Sequence, residues 1–176
     1  MKVLIVNNDL VKSANLNQLK DSAQKQLAAV EPLGLRPDFH RDGKDFIYTF
    51  NMALNGAPQQ LLMRDIDVKH CSTSVMISRI IAKISEAGAD RLYLHFATFG
   101  HANHFKDYIT VQVADRLVSN GVFSKSHIVF FTNGPQDTAR FRKETEYDIF
   151  LQSCAEDVLE HIFREMGISP ILNGGR

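Results

Sequence analysis

The strongest constraint on the fold of this chain is the order in which its apolar periodicity changes. Short continuous apolar runs alternate with longer stretches at helical spacing. Val3-Leu4-Ile5-Val6 is followed by Leu16, Leu19, Ala23, Leu27 and Val30, a helical stripe closed by Pro32 and Gly34. Ser72-Thr73-Ser74 offers a cap to a second helix with Ile77, Ile80, Ile81 and Ile84 on one face, and Gly88 stands where a left-handed terminating residue is wanted. That helix leads into Arg91-Leu92-Tyr93-Leu94-His95-Phe96, a run apolar enough for a strand buried on both faces. A third helix is expected over Asp107 to Asn120, with Ile109, Val113 and Leu117 in register and Gly121 as its stop, before a strand from His127 to Thr132. Asn133-Gly134-Pro135 then turns into a short helix, with Pro135 suited to its first position. The strand Asp148 to Leu151 precedes a last helix carrying Val158, Leu159, Ile162, Phe163 and Met166, where Ser153 and Glu156 have capping-box spacing.

Strands separated by helices predict an α/β fold, and right-handed crossovers make it a doubly wound parallel sheet with helices on both faces. The region between the first and second helices, residues 31–71, is more elaborate than one strand requires. It holds two strand-like runs, Phe46 to Phe50 and Leu61 to Asp67, separated by the turn signal Asn55-Gly56-Ala57-Pro58. With no internal repeat and no linker, residues 1–176 read as a single domain, with 31–71 as an insertion or an elaborated second strand.

Twenty basic and twenty acidic residues cancel, so nothing points to nucleic acid or an anionic membrane as a partner. Apolar runs are too short to span a bilayer, Met1-Lys2-Val3 opens directly into a strand, and Cys71 and Cys154 lack metal-ligand spacing. A cytoplasmic protein with free thiols is the expectation.

The succession of the first strand with Asn7-Asn8-Asp9, the strand ending in Thr132 with its short helix, and the last strand and helix resembles the receiver domain of bacterial response regulators. The match is best over residues 127–168. In that family an acid pair after the first strand holds Mg²⁺, an Asp ending the third strand accepts a phosphoryl group, a Thr or Ser ends the fourth and a Lys ends the fifth. The resemblance places Asn7 and Asn8 at the acid pair, His95 at the phosphoacceptor, Thr132 at the switch hydroxyl and Ser153 at the lysine, with Asp9 a lone remaining carboxylate. Neutral amides cannot supply the charge that draws Mg²⁺ out of water, and a histidine cannot form an aspartyl phosphate. The resemblance therefore implies a receiver-like domain that has lost phosphorylation, needs no cofactor, and acts in signalling by binding another protein.

Two other chemistries compete for the same region. Cys154 begins a helix after a strand, where the helix dipole lowers a thiol pKa, and with His101 it resembles the Cys-His pair of caspase-like peptidases. A strand between the two in the sheet would separate them laterally by about 10 Å, against that reading. His95, His101 and His104, with His70 elsewhere, could instead gather at the carboxyl edge of the sheet as metal ligands, although His101-Ala102-Asn103-His104 lacks a zinc spacing. Phe96, Phe99 and Phe105 are either core or an apolar patch for a partner. The charged face of the last helix, Glu160, His161, Arg164 and Glu165, is a candidate surface for homodimerisation.

Overall fold

The structure, a computed structural model, describes residues 1–6, 14–29, 34–96, 103–133, 137–151 and 155–168. Among these residues seven strands form one sheet: β1 (Lys2–Val6), β2 (Arg36–Asp42), β3 (Asp45–Leu54), β4 (Ala57–Arg64), β5 (Arg91–His95), β6 (Ile128–Thr132) and β7 (Asp148–Leu151). The described residues also form the α-helices α1 (Ala14–Ala28), α2 (Thr73–Ala87), α3 (Ile109–Ser119), α4 (Thr138–Thr145) and α5 (Ala155–Glu165). The sheet order is β2-β3-β4-β1-β5-β6-β7. β4, β1, β5, β6 and β7 are parallel to their neighbours in that series, so the parallel strands run second-first-third-fourth-fifth, a doubly wound order.

The sheet is mixed rather than wholly parallel. β2, β3 and β4 form an antiparallel meander that extends one edge. Its second turn is Asn55-Gly56, with φ of 51° and 79°, the left-handed pair a tight two-residue hairpin requires. That turn carries the first anticipated strand on to Leu54 and moves the start of the second back to Ala57, while the second ends at Arg64 rather than Asp67. β2 was not expected from the apolar pattern because Arg-Pro-Asp-Phe-His-Arg-Asp carries a single large apolar side chain, and all its residues are exposed. The third helix begins at Ile109 rather than Asp107. Phe105–Asp107 is a separate 3₁₀ turn, and Tyr108 between them is extended at φ −70° and ψ 146°.

Two apolar cores lie on opposite faces of the sheet. Leu16, Leu19, Ala23 and Leu27 of α1 and Val158, Leu159, Ile162 and Phe163 of α5 cover Val3, Ile5, Tyr93 and Phe131. Ile77, Ile80 and Ile84 of α2, Val113 and Leu117 of α3 and Phe141 of α4 cover Leu4, Leu92, Leu94 and Phe130. Successive strand residues point alternately into the two cores, which is why the central strands are continuously apolar. α2 starts and stops as its sequence dictates. Ser72 Oγ accepts the Val75 N–H, and Gly88 ends the helix at φ 61°. Among the described residues no helix is long and apolar enough to cross a membrane.

Candidate functional site

The five parallel strands end on one edge of the sheet, at Val6, Arg64, His95, Thr132 and Leu151. Open α/β sheets bind ligands at this carboxyl edge, so the residues there are the candidates for function. Asn7, Asn8 and Asp9 follow β1, His101 follows β5, and Ser153 and Cys154 follow β7; these six lie outside the described residues. Gly134, Pro135 and Phe99 lie outside them too.

His95 and Thr132 end neighbouring strands but do not face one another. The register pairs His95 with Phe131, which puts Thr132 one residue further along β6. The ladder continues through the Phe96 N–H, which donates to Phe131 O at 2.8 Å. His95 therefore shares the face of Tyr93 and Phe131, and its ring centroid lies 5.3 Å from that of Phe131. Thr132 alternates with Phe131 and takes the face of Phe130 and Phe96. Both are buried, so two polar side chains end the central strands on opposite sides of the sheet.

At the end of β4 the side chain is charged and already engaged. Arg64 is 7% exposed, and its Nη2 donates to Asp45 Oδ2 at 3.0 Å and Asp42 Oδ2 at 2.9 Å. Asp45 is wholly buried; its Oδ1 accepts the Asp67 N–H at 2.8 Å and Arg79 Nη2 at 3.2 Å. Arg79 Nε also donates to Asp67 O at 2.7 Å. This cluster ties the β2-β3 turn to the end of β4 and to α2. Nothing in the apolar periodicity reveals it. Its only sequence trace is the pair of aspartates flanking Gly43-Lys44.

Near the end of β5 a second polar knot joins α4 to the residues before α3. Glu144 Oε1 accepts the Phe105 N–H at 3.4 Å and lies 3.5 Å from His104 Nδ1, while Arg140 bonds Glu144 Oε2 at 2.6 Å and Asn103 O at 3.0 Å. Burial works against the charge of Glu144. The Phe105 N–H, Arg140 and His104 outweigh it and hold the carboxyl below its ordinary value. His104 is thus engaged by a carboxylate, and His70 is exposed after β4 at φ 62°. Among the described residues no three His, Cys, Asp or Glu side chains gather as metal ligands. Phe96 and Phe105 are core: their rings meet edge-on at 5.8 Å, and both meet Phe141.

β6 lies between β5 and β7 in the sheet, so the strand ends that precede His101 and Cys154 are two strand spacings apart, about 10 Å. Cys71 is a half-buried free thiol after β4. The charged face of α5 is partly tied to the sheet. His161 Nδ1 pairs with Tyr93 Oη at 2.9 Å, its ring stacks on Phe150 at 4.8 Å and 15°, and Glu165 lies 4.0 Å from Arg91. Burial, with the Glu165 carboxylate nearby, pushes the Tyr93 phenol well above its ordinary value.

No protein-family model and no curated protein matches the chain. Among solved structures it is similar to the G domain of the T. maritima FeoB iron transporter, with a TM-score of 0.46 and 8% identity over 94% of this chain and 97% of that one. The cytosolic domain of L. pneumophila FeoB gives a TM-score of 0.43 and 10% identity over 86% of this chain and 62% of that one. A PAC2 family protein from Streptomyces avermitilis gives a TM-score of 0.37 and 10% identity over 69% and 72%.

Proposed function

We propose that this chain is a receiver-like domain that works without phosphorylation, as a regulatory protein-binding module in bacterial cytoplasmic signalling. The observation that carries the proposal is the strand order second-first-third-fourth-fifth combined with what ends the third and fourth parallel strands. That order sets the ends of the first, third and fourth parallel strands side by side, as a receiver requires. Here the third and fourth end in His95 and Thr132, on opposite faces of the sheet. Receiver-type phosphorylation brings a carboxylate nucleophile, a cation and a hydroxyl together on one phosphoryl group, because that transfer rests on positioning and charge neutralisation. A histidine and a threonine separated by the thickness of a sheet do not converge, and Asn7 and Asn8 lack the charge to hold Mg²⁺. With the reaction lost, the remaining specificity of such a domain resides in its surfaces. Leu151, 52% exposed at the end of the edge strand β7, is a large apolar side chain on one of them.

The test combines two measurements on the full chain, with the alkylation rate of Cys154 against pH as a third. Intact mass is recorded after incubation with acetyl phosphate and Mg²⁺, and a photo-reactive residue is placed in cells at Leu151 or, as a control, at the equally exposed Val75 on α2. Unchanged mass, with one discrete protein cross-linked from Leu151 and not from Val75, supports the proposal. Gain of one phosphoryl group overturns it. Fast alkylation of Cys154 below neutral pH also overturns it, in favour of a hydrolase.

A further inference from the structure

From the outer edge of β2 we infer that two copies of this chain pair through that strand, antiparallel and centred on Phe39, to make one continuous sheet across a two-fold axis. Among the described residues β2 has β3 on one side and is the end strand of the sheet on the other. The two-residue turn Gly43-Lys44 closes on the pair Asp42 and Asp45, so Asp42, His40, Asp38 and Arg36 direct their backbone groups to β3. Phe39 and Arg41 therefore direct N–H and C=O outward, and Pro37 directs only C=O outward.

The sequence of β2 is self-complementary about Phe39. In an antiparallel pair centred there, Phe39 faces Phe39, Asp38 faces His40, Pro37 faces Arg41 and Arg36 faces Asp42. Four backbone hydrogen bonds form: the two Phe39 N–H groups bond the opposite Phe39 carbonyls, and the two Arg41 N–H groups bond the opposite Pro37 carbonyls. The donor that Pro37 lacks is the only kind missing. Sliding the pair by two residues either way sets Asp38 against Asp38, or Asp38 against Asp42, and like charges directly opposite one another destabilise a pair. Charge thus selects the register centred on Phe39.

The apolar side agrees. Phe39 is 38% exposed although its ring already meets Tyr48 at 5.3 Å and Phe50 at 5.5 Å, edge to face. The opposite Phe39 extends this row of rings across the axis and covers the exposed ring. Lys20 of α1, with Nζ 5.4 Å from the Phe39 centroid, flanks the row on the same face.

The experiment uses the full chain in sedimentation equilibrium over a range of concentrations, followed by cysteine cross-linking in a Cys71→Ser, Cys154→Ser background. The expected result is a reversible monomer–dimer equilibrium that Arg36→Glu weakens about tenfold, by setting like charges opposite at two places. Asp38→Lys and His40→Glu each weaken it alone, and together restore it. Phe39→Cys is expected to form a covalent dimer on mild oxidation, because directly opposite Cα atoms lie about 5.5 Å apart, within disulfide range. Arg41→Cys is not, because its two copies are separated by more than about 13 Å along the strands. A monomer at every concentration, a dimer indifferent to Arg36→Glu, or equal cross-linking at Arg41 and Phe39 overturns the inference.

Discussion

The carboxylate of Asp45, sealed at the start of β3, accepts Arg64 Nη2 at 3.0 Å from the end of β4. Arg79 and the Asp67 N–H occupy its other oxygen. Removing the acid leaves a nearly buried guanidinium whose remaining ion-pair partner among the described residues is the half-exposed Asp42. Asp45→Ala is therefore expected to cost about 3–5 kcal/mol, the range for breaking one side of a buried ion pair, with Asp45→Asn milder because it keeps the shape. Urea unfolding midpoints of the two variants measure this. A loss under about 1 kcal/mol for the alanine variant would show that the cluster is incidental to stability.

Asp65, next to this cluster, behaves in the opposite sense. Burial first, and then the Asp45 and Asp67 carboxylates, raise its pKa above the ordinary 3.8. An acid raised in the fold binds its proton more tightly there than in the unfolded chain, so its ionisation destabilises as pH rises from 3.8 through the raised value. Asp65→Asn is expected to stabilise the protein at neutral pH and to lose that advantage below pH 3.8. Thermal midpoints of variant and parent across an acid pH series decide it.

Tyr93 and Tyr147 are both held un-ionised. Burial pushes both phenols up, reinforced at Tyr93 by the nearby Glu165 and at Tyr147 by its bond to Asp115 at 2.8 Å. The unfolded chain ionises these groups near 10 and the fold does not, so stability falls as pH climbs past 10. Replacing either residue with Phe should leave the near-ultraviolet absorbance change up to pH 10 unaltered, and should blunt the loss of stability above it. At neutral pH Tyr93→Phe is expected to cost about 1 kcal/mol through the hydrogen bond to His161.

Glu144 links α4 to the segment that follows the end of β5. Its carboxyl is depressed, so its contribution is complete above the ordinary 4.5 and disappears as pH falls through the folded value. Glu144→Gln should speed hydrogen exchange at the Phe105 amide, and acidification should do the same in the parent. Exchange at the Val113 amide, in the middle of α3, serves as the reference that stays unchanged in both.

Much of this architecture is legible in the amino-acid order because burial on two faces leaves no choice of residue type. Val3 to Val6, Leu92 to Leu94 and Ile128 to Phe131 are continuously apolar because each side chain enters one core or the other. Ser72 and Gly88 bracket α2 as local chemistry requires, and the stripe on α5 is buried from Val158 to Met166. β2 is illegible for the converse reason: an exposed edge strand needs no apolar alternation, and only backbone pairing with β3 defines it. The cluster around Asp45 is invisible because its members, Asp42, Asp45, Arg64 and Arg79, are brought together by a hairpin and a helix rather than by spacing. At the candidate site, the sequence places His95 and Thr132 at strand ends. Their division between opposite faces depends on a one-residue offset between β5 and β6, which no single strand's pattern encodes.

The sheet that separates the two cores also insulates them. Ile80 on α2 and Ile162 on α5 belong to clusters that share no side chain, and the strands between them are held by backbone bonds that trimming a methyl does not touch. Damage on one side is thus felt locally. Ile80→Val and Ile162→Val should add when combined, to within about 0.5 kcal/mol, whereas Ile80→Val with Ile84→Val should not. Sequence drift can therefore reshape the α2–α3–α4 flank independently of the α1–α5 flank, as though two neighbouring proteins had been laid back to back on one shared wall.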